Sequence, residues 1–120
     1  MSPLARHIYK QLRRRVRAKN MSITYGELAR ELGDRRGSNA LHPRSSTSHA
    51  ALGEVSTACR DHRLPCLPAI VLRNDTRRPS DGYYKVAHPR ARSERTRIAA
   101  WQREIARLYV EASRFPGALP

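Results

Sequence analysis

The stretch ITYGELARELGDRRG, residues 23–37, contains the clearest folding signals in the chain. Thr24 is followed three residues later by Glu27, which is the spacing of a capping box. In that motif each of the two side chains accepts a hydrogen bond from the other residue's backbone N–H. Ile23 and Leu28 flank the pair as a hydrophobic staple, which fixes the angle at which the chain enters a helix. The stretch therefore predicts a short, firmly placed helix.

The two ends of this helix have different expected roles. Gly33 is expected to end it, because glycine adopts the left-handed conformation of a helix cap without steric cost. Tyr25 lies at the first turn, where unpaired N–H groups favour a phosphate, so it is a candidate contact to nucleic acid. The polar residues 34–47 then predict a loop that contributes Arg35, Arg36 and Arg44.

A basic helix is predicted to precede this stretch, over residues 2–19. Ser2 is a suitable N-cap and Pro3 suits the first helical position. One side of the helix is apolar, through Leu4, Ile8, Leu12 and Val16. The rest carries cations and no acid, namely Arg6, Lys10, Arg13, Arg14, Arg15, Arg17 and Lys19. Arg13, Arg14 and Arg17 are candidate phosphate contacts, although a solvated basic face would give the same pattern.

A third helix is predicted from about Ser48 to His62. Its buried side would contain Leu52, Val55, Ala58 and Cys59. Its outer side would carry Arg63 as well as four residues that face a nucleic-acid groove, namely His49, Ser56, Thr57 and Arg60.

The remainder of the chain predicts a β-hairpin and a last helix. Residues 69–73 and 83–87 have strand composition and are separated by a turn-rich loop, with Arg77 and Arg78 at its tip. A helix over about 93–113 would follow, with an apolar face formed by Ile98, Trp101, Ile105, Leu108, Tyr109 and Ala112. The order predicts an α+β, mostly helical, winged helix-turn-helix domain over residues 1–115, with a frayed tail at 116–120.

The charge balance favours a polyanionic partner. The chain has 24 Lys and Arg against 10 Asp and Glu, a formal net charge of +14. Almost all of the cations are arginines, which fork onto phosphate oxygens and guanine edges. Nucleic acid, above all double-stranded DNA, is therefore the expected partner. A small basic protein-binding module of the antitoxin or anti-defence type, whose arginine-rich surface binds an acidic protein, stays open as an alternative, as does a homodimer.

About half of the chain, residues 20–85, resembles the DNA-binding domain of the O6-alkylguanine-DNA alkyltransferases and of the non-catalytic alkyltransferase-like proteins. The resemblance lies in ITYGELARELGD, in the Ala51-Leu52-Gly53 helix, and in an LP pair followed by an apolar strand and a Gly-Tyr segment. It implies a winged-helix scaffold, and recognition of modified or damaged DNA as an alternative function.

The residue-by-residue match implies binding without alkyl transfer. Tyr25 matches the family tyrosine that crowds the phosphate beside a flipped nucleotide. The family's intercalating arginine falls on Ala50, and the acceptor cysteine of the PCHR motif falls on Ala69 or Ile70, with no His-Arg pair after it. Cys66 is nearby in sequence but lacks the base or positive field that would activate its thiol.

Other chemistry has weaker signals. Cys59, His62 and Cys66 have an imperfect zinc spacing, so no metal is expected. The acids form no catalytic pair, and no glycine-rich phosphate loop is present, so no cofactor and no enzymatic activity are expected. No apolar run is long enough to span a membrane, and the two cysteines do not suggest a disulfide framework, which favours a cytoplasmic, nucleoid-associated protein. RNA or ribosome binding is electrostatically equivalent to DNA binding and stays open.

Overall fold

The protein folds as a mostly helical α+β domain. The structure, a computed structural model, describes residues 1–36 and 46–119. These residues form helices α1 (Pro3–Arg17), α2 (Tyr25–Arg36), α3 (Ser46–Asp61), α4 (Asp81–Ala87) and α5 (Glu94–Val110). They also form strands β1 (Ile23–Thr24) and β2 (Val71–Leu72), and 3-10 helices at Leu67–Ile70 and Ala112–Arg114.

Helices α1 and α3 pack on each other and form the centre of the core. The side chain of Ser2 accepts a hydrogen bond from the Ala5 backbone N–H, 3.2 Å away, which caps α1 as predicted. The apolar side of α1 is buried against α3 and the 3-10 helix Leu67–Ile70. The fully buried side chains there include Ile8, Leu12, Val16, Val55 and Leu67. Burial of these apolar groups is the main stabilising contribution to the domain.

Helix α2 begins where the capping box predicts. The Glu27 carboxylate accepts from the Thr24 N–H at 3.2 Å, and the Thr24 hydroxyl accepts from the Glu27 N–H at 3.1 Å. Ile23 and Leu28 are both buried. The predicted end at Gly33 was wrong, because α2 continues to Arg36. Glycine permits a left-handed cap but does not impose one, and its cost inside a helix is only about 1 kcal/mol.

The predicted β-hairpin was also wrong. Strand β2 pairs in parallel with β1, with Ile23 opposite Val71 and Thr24 opposite Leu72. Residues 83–87 belong to helix α4, so the described part of the chain contains no two-stranded wing. Ser80 stands at the N-cap position and Asp81 in the first turn, both of which favour a helix start. Tyr83 and Tyr84 are adjacent and both buried, unlike neighbours in a half-exposed strand.

The C-terminal helix is confirmed with different bounds. Ser93 and Thr96 form a capping box, and α5 ends at Val110. Leu108 and Ala112 are buried as predicted, but Tyr109 is 53% exposed, so its assignment to the apolar face was wrong. The segment 115–119, expected to be largely a frayed tail, contacts α1: the Tyr9 hydroxyl donates to the Pro116 carbonyl oxygen at 2.6 Å. Leu119 is buried, and Pro120 lies outside the described residues.

Candidate nucleic-acid interface

One side of α3 faces α1 and the other faces a cleft. Glu54 faces α1, because its carboxylate accepts from the Ser2 backbone N–H at 2.7 Å. The side that lines the cleft consists of His49, Gly53, Ser56 and Arg60. A helix turns by about 100° per residue, so Glu54 lies about 100° or more around α3 from each of these four. We call this side of α3, together with the parts of α4 and α5 opposite it, the cleft face.

The inner part of the cleft face is a cavity of about 250 Å³ between α2, α3 and α4. The Tyr25 hydroxyl and the Ser80 Oγ share a hydrogen bond of 2.8 Å at its wall. The Tyr25 and His49 rings lie 6.0 Å apart, centroid to centroid. No carboxylate is among the described residues that line the cavity. The space is therefore walled by aromatic, apolar and small polar groups, with Lys85 as its cation.

Tyr25 was expected at an exposed helix tip, but its side chain is only 7% exposed. Burial is the largest cause of its raised pKa, so the phenol is neutral at physiological pH. Its hydroxyl is turned to Ser80 on another segment. Tyr25 thus forms a wall of the cavity.

Ser56, expected on the outer side of α3, is buried. Its Oγ accepts a hydrogen bond from the Cys66 thiol at 3.3 Å. Burial raises the pKa of the Cys66 thiol, so the sulfur stays protonated at neutral pH. Ala69 and Ile70, the two positions that the family resemblance gives to the acceptor cysteine, are both fully buried, and the Ala69 carbonyl oxygen accepts from Trp101 Nε1 at 2.9 Å.

A wider, more open part of the cleft, about 450 Å³, lies at the C-terminal end of α3. Its described lining includes Arg60, Arg63 and Arg107, with Glu104 as the carboxylate. The Glu104 carboxylate accepts a hydrogen bond from the Cys66 backbone N–H at 2.8 Å, so part of its negative charge is compensated within the protein. Burial lowers the pKa of His88, whose Nε2 shares a 2.8 Å hydrogen bond with the Tyr83 hydroxyl, so this ring is neutral at pH 7. Arg107 is paired with Glu111 at 2.9 Å and Arg60 lies 3.8 Å from Asp61, whereas Arg63 forms no ion pair with a described carboxylate.

The loop before α4 is exposed and internally hydrogen-bonded. Arg73 binds both carboxylate oxygens of Asp75, at 3.0 and 2.8 Å. Arg78 binds Glu94 at 2.8 Å. Arg77 has a left-handed backbone, with φ of 56°, and forms no ion pair with a described carboxylate. The loop therefore holds Arg77 out into solvent, beside the segment that carries Ser80 to the cavity.

The predicted contacts on α1 separate into two kinds. Arg13 is half-buried and donates to the Phe115 carbonyl oxygen at 3.0 Å, which is a structural contact. Arg14 and Arg17 are exposed. Both lie on the helix that packs against the side of α3 away from the cleft, so the structure does not bring them to the cleft face.

Of the remaining predicted site residues, Arg44 lies outside the described residues, and the side chains of Arg35 and Arg36 are not described. Thr57 is half-buried, whereas His49, Arg60 and Arg78 are exposed. The sequence placed Arg63 on the outer face of α3 but did not assign Arg63, Ser80 or Lys85 to the lining of the site. Ser80 and Asp81 form a helix-start signal in the sequence. That signal would have placed Ser80 at the cap of α4 and Lys85 on α4 itself.

Over residues 1–36 and 46–119, no group of three or more His, Cys, Asp or Glu side chains could hold a metal ion. None of the helices described has the length and apolar composition needed to cross a bilayer. Comparison of the chain with protein-family models, with curated proteins and with solved structures gave no match.

Proposed function

We propose that this protein binds double-stranded DNA without catalysing a reaction, through the cleft face. The observation that carries the proposal is the arrangement of cations around an aromatic cavity. Arg60 and Arg63 border the open part of the cleft, and Lys85 lines the inner part. The net charge of +14 adds a long-range attraction to polyanions.

Arg77 is the best-placed contact to the phosphate backbone in this proposal. It is exposed, and its loop is held by the hydrogen bonds of Arg73 to Asp75 and to the Arg78 carbonyl oxygen. A fixed loop loses little conformational entropy when it binds. Phosphate contacts fix the orientation of a protein on a duplex but do not distinguish sequences.

Paired variants of Arg77 test this assignment. Asparagine tolerates the left-handed backbone at this position, so Arg77→Asn removes the charge and keeps the loop. We expect it to weaken binding about tenfold, to a similar degree for every duplex sequence. Arg77→Lys retains the charge and should bind nearly as tightly as the wild type. Equal affinity of the Asn and Lys variants, or a loss restricted to one sequence, would contradict the role.

A competition at one fixed salt concentration tests the class of nucleic acid. Wild-type protein bound to a fluorescent duplex is challenged with unlabelled duplex DNA, single-stranded DNA or structured RNA. The proposal predicts that duplex DNA is the strongest competitor. If structured RNA competes more strongly than duplex DNA, the function is RNA binding and the proposal of DNA binding is wrong.

The cavity favours a second candidate, recognition of a modified base that has left the duplex. Enzymes and sensors that bind a flipped base hold it between aromatic and apolar side chains in a closely fitting space. A volume of about 250 Å³, walled by Tyr25, His49 and Pro68, suits a group of nucleobase size. This candidate agrees with the family resemblance described for residues 20–85.

Gly53 offers a direct test of this candidate. A Cβ added at Gly53 would meet nothing within 4 Å, and the residue lines the cavity. Gly53→Leu should fill the cavity, whereas Gly53→Ala should leave most of it open. We expect the Leu variant to lose any preference for duplex containing an O6-alkylated guanine while it still binds unmodified duplex. A wild-type protein with equal affinity for the two duplexes would remove this candidate.

A further inference from the structure

A straight row of cations lies along the exposed side of α1. Arg6, Lys10, Arg14 and Arg17 follow one another at intervals of four, four and three residues, and all four are exposed. Such intervals place side chains on one side of a helix. With a rise of about 1.5 Å per residue, the row is about 16 Å long. We call it the α1 row.

The α1 row carries charge that the described protein does not neutralise. None of its members forms an ion pair with a described carboxylate. The neighbouring cations on the same segment are engaged: Arg15 with Glu31, and Lys19 with the Tyr109 carbonyl oxygen. Like charges one turn apart repel each other, so a bound polyanion would stabilise this arrangement. A duplex presents about one phosphate charge per 1.7 Å of its axis, enough for the whole row.

The row and the cleft face lie on opposite sides of the α1–α3 layer. The buried side of α1, with Ile8 and Leu12, points away from the row and toward the core. On helix α3, Glu54 faces α1, and the side that lines the cleft faces away from α1. The order through the molecule is therefore α1 row, α1, α3, cleft. Two packed helices separate the two basic faces.

A single duplex cannot reach both faces. Duplex DNA is stiff over about 50 nm, and the greatest extent of the chain is 39 Å. To contact opposite sides of so small a body, the duplex would have to fold back on itself. We infer, on the basis of the proposed function, that the α1 row is a second DNA-binding face and that one chain bridges two duplex segments.

The test uses two short duplexes of identical sequence, one immobilised and one fluorescent. The full-length wild-type protein should capture the fluorescent duplex onto the immobilised one. A variant with Arg6→Gln, Lys10→Gln, Arg14→Gln and Arg17→Gln keeps good helix formers at all four positions. It should lose at least about tenfold in capture at ~0.1 M salt, because the loss of even one phosphate contact lowers the association constant by about 0.9 logarithmic units at that concentration. Its affinity for a single duplex should change by less than about threefold, since the cleft face is intact.

The matched control carries Arg6→Lys, Arg14→Lys and Arg17→Lys, which preserves the charge of the row and should preserve capture. Circular dichroism of both variants verifies that α1 is folded. Sedimentation equilibrium with duplex in excess gives the composition of the captured complex. One chain with two duplexes supports the inference, whereas two chains with two duplexes would show bridging by a dimer and overturn it.

The remaining outcomes separate this inference from the proposed function. A wild-type protein that binds one duplex tightly and never captures a second overturns the bridging inference alone. The inference is also overturned if the Gln variant captures as much duplex as the wild type, or if its single-duplex affinity falls as much as its capture does. In either case the α1 row would not be a separate second face. A wild-type protein that binds no duplex at low salt would overturn the proposed function and the inference with it.

Discussion

The two basic faces of the molecule differ in how their charge is held. The α1 row is exposed and forms no ion pair with a described carboxylate. On the cleft face, Lys85 binds Asp81 at 3.0 Å and Arg107 binds Glu111 at 2.9 Å, and the cations border a cavity. The row therefore presents unpaired charge along one helix, whereas the cleft presents a cavity whose cations are partly neutralised. Phosphate contacts position a protein on DNA, whereas a shaped site can distinguish one duplex from another. We therefore expect selectivity between duplexes to come from the cleft alone.

The largest expected effect is the loss of the two cleft arginines together with Arg77 of the loop before α4. In a protein that already carries the fourfold Gln changes of the α1 row, the further changes Arg60→Gln, Arg63→Gln and Arg77→Asn should weaken binding to a single duplex about 500-fold at ~0.1 M salt, at about 0.9 logarithmic units per contact. Fluorescence anisotropy measures this directly. The fourfold Gln variant of the α1 row is the matched control for loss of charge. A loss of only about threefold in the cleft variant would place single-duplex binding elsewhere.

A smaller effect is expected from the hydrogen bond between Tyr25 and Ser80, which joins α2 to the start of α4. Tyr25→Phe and Ser80→Ala should each lower the free energy of unfolding by about 0.5–1.5 kcal/mol. The double variant should cost less than the sum of the two, because both changes remove the same bond. Urea unfolding of the four proteins gives the coupling energy. If the effects of the two single variants on the free energy of unfolding are strictly additive, the hydrogen bond contributes nothing to stability.

A gain in stability is expected at Gly53. The residue lies within α3, and a Cβ there would meet no atom within 4 Å. Gly53→Ala should raise the free energy of unfolding by about 0.5–1 kcal/mol, because alanine has the higher helix propensity. The same denaturant measurement tests this change. A destabilised variant would show that the cavity wall is more closely packed than the structure describes.

The smallest expected effect is on acid stability at the start of α2. Hydrogen bonds from the Thr24 backbone and hydroxyl lower the pKa of Glu27. A carboxyl group whose pKa is lower in the folded state stabilises the protein above its unfolded pKa, about 4.3. That contribution is lost as the pH falls below this value and through the lower pKa of the folded state.

Glu27→Gln tests the origin of this pH dependence. Glutamine still accepts a hydrogen bond in a capping box but does not titrate. Its stability should therefore fall less steeply than that of the wild type below about pH 4.5. Parallel acid profiles for the two proteins would assign the loss of stability to other carboxyl groups.

The extent to which the sequence predicted this structure depended on how local each signal was. The capping box at Thr24 lies within four residues of chain, and the start of α2 was correctly placed from it. The predicted start of the last helix at about Ser93 is also correct, and the structure adds a capping box there between Ser93 and Thr96. The pairing of residues 23–24 with 71–72 depends on contacts distant in sequence, and it was missed. At Ser80–Gly82, turn and helix-start signals compete, and the burial of Tyr83 and Tyr84 decides in favour of the helix.

The candidate site was harder to predict, for a related reason. His49 and Arg60 were placed correctly on the cleft side of α3, because helical periodicity alone determines that side. Ser56 lies on the same side, but α4 packs over it, so it is buried. Tyr25 and Ser80 are separated by 55 positions along the chain, and only the folded molecule brings them to one cavity wall.

The most direct test of the central claim is the affinity of the wild-type protein for an unmodified duplex as a function of salt. If Arg60, Arg63 and Arg77 contact phosphates, the logarithm of the association constant should fall with the logarithm of salt concentration with a slope of about −2.7 or steeper. Between about 50 and about 200 mM salt, that slope corresponds to a loss of at least about 40-fold. An affinity that does not change over this range would contradict the claim that the protein binds DNA through its basic faces.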